Sequence, residues 1–390
     1  NSDLRLIIFI LLLLISQGGI CKQNLDSLLI ELEATMDNHR IYDLQKEKRI
    51  KILLEKRNQT SDLKKVYKIY NEIYEAYEFY NFDNALKYIE ENIQIAERLN
   101  DNLLVNQAKI KMGQLLVGSG RFKESVDVLK EIDRNALSES LINNYFIAHK
   151  EAFVGLAYNT VVKRSKLNYT ELYTAYQDSL YTRLKPNTQE SLRLKEKQYR
   201  DSHNIAEALE INTQRLENID KGSREFALVT FERSLLYEWN GEFAKQKEYL
   251  ILSAISDIQA AVKDNASMGI LAMILFAEGD VDRAHRYINF SYDDAKFYSS
   301  QIRFVYIAKS MPLITKAYEQ KNAKQKNKLQ NSLLFISILA SLLLVAVFYI
   351  LKQIKNVSVT RNKLRKSNKK LKKFNTRLNN SNEDLKKLNL

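Results

Sequence analysis

Five tyrosines, Tyr67, Tyr70, Tyr74, Tyr77 and Tyr80, step by 3, 4, 3 and 3 and so share one helical face. Such a stripe could stack on sugar rings. It is also how a helix packs on its neighbour, with the hydroxyls left at the rim, and that use is the commoner one. The four histidines, His39, His149, His203 and His285, are scattered and form no i, i+4 pair. Glu90-Glu91 and Asp293-Asp294 are adjacent in sequence, so on a helix they diverge and read as solvated rather than catalytic. No HExxH, GxSxG, P-loop or GxGxxG pattern occurs. Cys21 is the single cysteine and permits neither an internal disulfide nor a cysteine metal site. The sequence therefore assigns no catalytic, cofactor-binding or metal-binding residue and implies no cofactor.

What must be positioned is a set of helices. Only 10 Gly and 2 Pro occur in 390 residues, which disfavours turn-rich β architectures. The chain is organised around Ser332–Leu351, twenty residues without a charge, Pro or Gly. At ~1.5 Å per residue a helix of this length reaches roughly 30 Å, the thickness of a bilayer's hydrocarbon core. Lys328 and Lys352 flank it, where ammonium groups can snorkel to headgroups, and Tyr349 suits the interface. The net charge of +13 lies mostly beyond this segment: residues 352–390 hold 13 Lys/Arg against Glu383 and Asp384. The basic balance belongs to the tail and does not mark the large domain as a nucleic-acid binder.

Residues 1–21 are expected to be an export signal. Leu6–Ile15 is a ten-residue apolar run, followed by the small residues Ser16, Gly18 and Gly19. The run begins after only one base, Arg5, and the chain opens on Asn, so the true start is expected upstream. Ile20 before Cys21 argues against lipidation.

Residues 22–60 read as an N-terminal helical pair, with helices over Leu25–Leu32 and about Tyr42–Lys56. From 61 to 320 a repeat emerges. Short hinges recur around Phe82, Phe122, Leu167, Ile205, Phe243 and Val281, at spacings of 40, 45, 38, 38 and 38. Each is a polar pair, an apolar residue expected to plug the hinge, and in most a small residue three further on (Ala85, Ser125, Ala208, Ala284). Gly120, Gly241 and Gly279 end the preceding helices. A period near 40 with helix on both sides of a tight turn describes stacked helical hairpins. These units resemble tetratricopeptide repeats, best over Met268–Ser291 and next over Lys109–Ile132. The resemblance implies a right-handed superhelix with a concave surface for a peptide or small ligand.

Pro312 is expected to kink or restart the last helix of this region. Residues 321–331 are a polar helical linker, 332–351 the transmembrane helix, and 352–390 a basic coiled coil. In the tail Leu364, Leu371, Leu378 and Leu385 occupy d, and Arg361, Asn368, Asn375 and Asn382 occupy a. The seam runs back through Val357, Ile354, Ile350, Val347 and Leu343 into the apolar segment, so a homodimer through 343–390 is expected. Ten Lys/Arg and no acid between Lys352 and Lys373 follow the positive-inside rule and suit anionic membrane lipid; the alternative is a nucleic-acid arm.

The fold class is thus all-α: a tetratricopeptide-like helical-hairpin solenoid, one transmembrane helix and a C-terminal coiled coil. The complete order resembles a Bacteroidetes family of membrane-bound regulators with degenerate repeats and a domain of unknown function. The match is carried by Leu25–Leu54 (LDSLLIELEATMDNHRIYDLQKEKRIKILL) and by Ser253–Glu319. The resemblance implies a transcriptional regulator of the Gram-negative inner membrane, with 22–331 periplasmic and 352–390 cytoplasmic. It places DNA contact only in a missing region beyond the tail, and the heptads stop in mid-repeat, so the chain is expected to be a fragment. A ligand or partner of unknown kind would bind the repeats. Two alternatives stay open: the input half of a sensor histidine kinase, and an envelope scaffold.

Overall fold

The structure, a computed structural model, describes residues 25–388, so the expected export signal and its cleavage site lie outside the described residues. All regular elements among them are helices. Packing divides the chain into one unit ending at Tyr318 and a second from Glu319 onward.

The first unit opens with α1 (residues 25–37) and α2 (His39–Asn58). Six hairpins follow: α3 (Leu63–Tyr77) with α4 (Phe82–Arg98), α5 (Asn102–Ser119) with α6 (Phe122–Lys130), and α7 (Glu139–Asn159) with α8 (Lys163–Arg183). Then come α9 (Gln189–Asp201) with α10 (Ile205–Leu216), α11 (Arg224–Trp239) with α12 (Phe243–Gln259), and α13 (Ser267–Ala277) with α14 (Val281–Tyr298). The start of α15 (Gln301–Leu388) completes the unit.

Local chemistry sets these boundaries. Side-chain oxygens of Asp62, Asn81, Asp101, Ser223 and Asp280 accept from the first free N–H groups of their helices, each contact stabilising by about 1 kcal/mol. Gly120 closes α5 in the left-handed region (φ 93°), and a Cβ there would also lie 2.7 Å from Ile302 Cγ1. Five expected hinge residues, Phe82, Phe122, Ile205, Phe243 and Val281, are each the first residue of the second helix of a hairpin. Ala85, Ser125, Ala208 and Ala284, one turn on, are fully buried where the paired helices meet.

Two hinge expectations are corrected. Leu167 lies inside α8, which starts at Lys163, and it is exposed. Phe243 is 66% exposed, so it plugs nothing, and the position three further on is a buried Gln246. Pro312 does not restart a helix: α15 passes through it, with Ile307 and Ile314 buried on either side. Packing of those two residues holds a helix that proline, lacking one N–H, weakens.

The array curls back on itself. Leu29, Leu32 and Met36 of α1 share a core with Ile251, Leu271, Leu275, Ile288, Ile307 and Ile314. Arg283 Nε donates to Glu33 Oε1 at 2.6 Å, tying α14 to α1. At the first hairpin the Phe82 ring meets Tyr298 edge-on at 6.2 Å, and the Tyr298 hydroxyl donates to Glu78 O at 2.8 Å. The N-terminal pair is therefore packed onto the last hairpins and shares their core.

In the second unit α15 carries the apolar segment and the tail. It is the one helix among the described residues long and apolar enough to cross a membrane, by length and composition. Leu344 and Phe348 are more than 70% exposed in the single chain, and the tail's d residues Leu364, Leu371, Leu378 and Leu385 are 50–62% exposed.

Candidate functional site

The tyrosine stripe is packing. Tyr67, Tyr74 and Tyr80 are buried. The Tyr67 hydroxyl donates to Leu104 O at 3.1 Å and that of Tyr74 to Lys111 O at 3.2 Å, so the stripe of α3 is stapled to α5. Tyr77 stacks on Tyr88 of α4 at 5.8 Å. The histidines stay apart. His149 is 2% exposed within a cage of Tyr145, Phe153 and Tyr176, with neither ring nitrogen hydrogen-bonded. Burial, with Lys130 adding, lowers its pKa to about 4, so the ring is neutral. Among the described residues no cluster of three or more His, Cys, Asp or Glu side chains could hold a metal.

One acidic pair departs from expectation. Glu90 is solvated, but Asp294 is buried and ion-paired to Lys263 at 3.1 Å, and Asn265 Nδ2 donates to its other oxygen at 3.2 Å. Lys263 also reaches Asp43 of α2 at 3.0 Å. Burial pushes Asp294 up to about 6 against the pull of Lys263. The curled array brings Asp43 to this lysine, and local sequence gives no sign of it.

The site the curl creates is a cavity of about 470 Å³, a size suited to a small ligand. Its walls come mainly from the first helices of successive hairpins. On α9, Arg193, Lys197 and Arg200 step by 4 and 3 and share one face; on α11, Arg224, Leu228, Phe231 and Leu235 do the same. Lys150 and Glu151 of α7, Asp257 of α12, Asp264 and Arg303 complete the polar part.

Most of these charges hold one another. Arg193 Nε donates to Glu232 Oε1 at 2.6 Å. Behind it, Arg215 of α10, 2% exposed, pairs with Glu196 at 2.6 Å and Glu232 at 2.7 Å. Burial would raise Glu232, but Arg193 and Arg215 hold it below its ordinary value; Glu196 is raised by burial, with Glu232 adding, against the pull of Arg215 and the Asn212 amide. Burial likewise works against Glu151, yet Lys150, Arg193 and Lys197 bring it down to about 2. Arg303 Nε and the Ser300 hydroxyl both donate to Asp264 Oδ1, at 3.1 and 2.7 Å. The Arg224 guanidinium lies 3.3 Å from the centroid of the Phe79 ring.

Asp257 is different. It is 8% exposed, faces the cavity, and its carboxylate accepts no hydrogen bond from the described residues. Burial pushes its pKa up to about 8, with Arg224 and Arg303 opposing and Asp264 and Asp294 adding. A carboxyl group set in a cavity wall is satisfied by whatever polar group occupies the cavity. Sequence reasoning missed this site. The only local sign was the 4 and 3 spacing of the α9 cations, which any solvated helix face could show.

Stacked helical hairpins with this hinge pattern and a cavity on the inner face define a tetratricopeptide-repeat solenoid. The chain belongs to the SusR N-terminal TPR domain family, a Bacteroidetes regulator family, whose model matches residues 36–309. Among solved structures, the TPR2AB-domain:pHSP90-complex of yeast Sti1 is similar at 11% identity, over 73% of this chain and 98% of that one, with a TM-score of 0.28. No curated protein matches.

Proposed function

We propose that this chain is a membrane-spanning sensor that serves a transcriptional output. The repeat unit takes a small polar ligand in the cavity beside Asp257. Ser332–Leu351 crosses the inner membrane, residues 22–331 lie in the periplasm, and the basic tail lies in the cytoplasm and pairs with a second copy. The observation that carries the reading is the cavity itself: a largely buried Asp257 in a wall that also holds Arg193, Arg224 and Arg303 suits polar groups of a ligand. Membership of a regulator family, the charge-free apolar segment and the cations after it support the rest. A signal requires that the ligand bind two states unequally, and the dimer geometry of the tail is the state it would bias.

Two measurements test this. Reporter fusions at Lys321 and Lys373 should report opposite sides of the membrane; the same side for both would overturn the topology. A thermal-shift screen of polar metabolites should find a compound that raises Tm for the native chain and not for Asp257→Asn or Arg193→Ala. A hit that stabilises all three equally would place the ligand elsewhere.

A further inference from the structure

The α7–α8 turn is built unlike its counterparts. The turns at Gly120-Arg121, Ser202-His203-Asn204, Asn240-Gly241-Glu242 and Glu278-Gly279-Asp280 are polar or glycine-bearing, as loops in water should be, and in the α3–α4 turn the aromatic Tyr80 is buried and Phe79 is half-buried. Residues 158–168 read YNTVVKRSKLN instead. Tyr158 is 86% exposed, Val161 97%, Val162 57% and Leu167 56%, so four large apolar side chains stand in water within ten residues. Lys163, Arg164 and Lys166, all exposed, are interleaved with them, and no acid occurs in the stretch. Isolated exposed apolar residues are ordinary; a contiguous apolar apex ringed by like charges marks a contact surface.

We infer that the α7–α8 turn is a lipid-contact element that seats Tyr158, Val161 and Val162 among the acyl chains and headgroups of an anionic bilayer. The occupant is chosen by charge. Lys163, Arg164 and Lys166 complement anionic headgroups, each strengthening association about fivefold, while the apolar apex has hydrocarbon to enter. A second copy meeting the same patch about a two-fold axis would bring six cations together without an acid, which opposes self-association. Trp239 and Phe243, the helix-end residues on either side of the polar α11–α12 turn, are also exposed, but Glu238 and Glu242 lie beside them in sequence and the complementarity to anionic headgroups is lacking.

The test uses the full chain with Cys21→Ser, reconstituted into vesicles of phosphatidylcholine and phosphatidylglycerol at 3:1. A polarity-sensitive fluorophore is attached at Val161→Cys or, on the exposed α8–α9 loop, at Lys185→Cys. Spin-labelled acyl chains should quench the label at 161 at least twofold more than that at 185. Quenching at 161 should fall toward the level at 185 in pure phosphatidylcholine, and also when Lys163, Arg164 and Lys166 are changed to Glu. Equal quenching at the two positions, or indifference at 161 to both lipid charge and the Glu changes, overturns the inference. So does energy transfer between labels at 161 on two copies that is unaffected by lipid composition, since a second copy would then be the occupant. Because only chains that co-float with the vesicles are read, failure of the membrane-spanning reading appears as loss of flotation and is distinguishable from failure at the turn.

Discussion

The ring of Phe122, the first residue of α6, lies against the bare Cα of Gly155 on α7: a Cβ at 155 would fall 2.3 Å from Phe122 Cε1. A hinge residue of one hairpin thus seats in a gap that only glycine leaves in the first helix of the next. The first prediction follows from that gap. Gly155→Ala gains about 1 kcal/mol of helix propensity but forces the ring aside, and overpacking costs about 1–3 kcal/mol. Clash should win, giving net destabilisation in urea unfolding. The pair Phe122→Ala/Gly155→Ala should be less destabilised than the sum of the single changes, because Phe122→Ala removes the ring with which the new Cβ clashes. Additive effects would mean that the two residues do not meet.

Arg215 should be among the least replaceable charges. Arg215→Met leaves Glu196 with only the Asn212 amide and Glu232 with Arg193 alone, and breaking a buried pair costs about 3–5 kcal/mol. Changing Arg215 to Met together with Glu196 to Leu removes both members of the inner pair and should recover most of that loss in chemical denaturation.

His149 should be replaceable with profit. Both ring nitrogens are buried without partners in an aromatic cage, so His149→Phe removes an unsatisfied group while keeping the stacking on Tyr176 at 4.7 Å. A gain of about 1 kcal/mol is expected, read as a higher Tm.

Asp257 fixes the sign of a pH dependence. Its pKa is raised to about 8 in the folded chain against an ordinary carboxylate value near 4 when unfolded, so between these pH values the folded state holds the extra proton. Stability from this group therefore falls as pH rises through that window, by about 1.4 kcal/mol per pH unit at most. Asp257→Asn should flatten the fall, with its advantage over the native chain larger at pH 8 than at pH 5. A constant difference across that range would show that Asp257 keeps an ordinary pKa.

How far the sequence could be read follows the range of the forces. Phe82, Phe122, Ile205 and Val281 were legible as hinge residues because helix starts are set by neighbours within one turn. Lys163 was missed as the start of α8 because Val161 and Val162 ahead of it carry neither the glycine nor the polar residue that marks the other hinges. Asp257, Asp294 and the Arg193–Glu232 pair were illegible for another reason. The Arg193–Glu232 pair joins helices of successive hairpins 39 residues apart, and the surroundings of Asp294 depend on partners such as Asp43, brought in by the closure that also joins Tyr298 to Glu78 across 220 residues. Period and composition carry no record of that closure, so Asp294 looked solvated and the cavity had no signature.

The tail allows a prediction of the proposed pairing. Leu364, Leu371, Leu378 and Leu385 stand 50–62% exposed in the single chain, with Asn368, Asn375 and Asn382 three residues before the last three of them. Asparagine at a favours a parallel, in-register dimer at a cost in stability, whereas a β-branched apolar residue at a with Leu at d strengthens two-stranded association. Asn368→Ile with Asn375→Ile should therefore raise self-association at least tenfold by sedimentation equilibrium in detergent. Leu371→Asp with Leu378→Asp should abolish it. In the proposed sensor, the Ile pair should also lock the output in one state, so that a reporter becomes insensitive to ligand while the cavity still binds. If neither pair of changes alters the association state, the exposed leucine seam serves something other than a second copy of this helix.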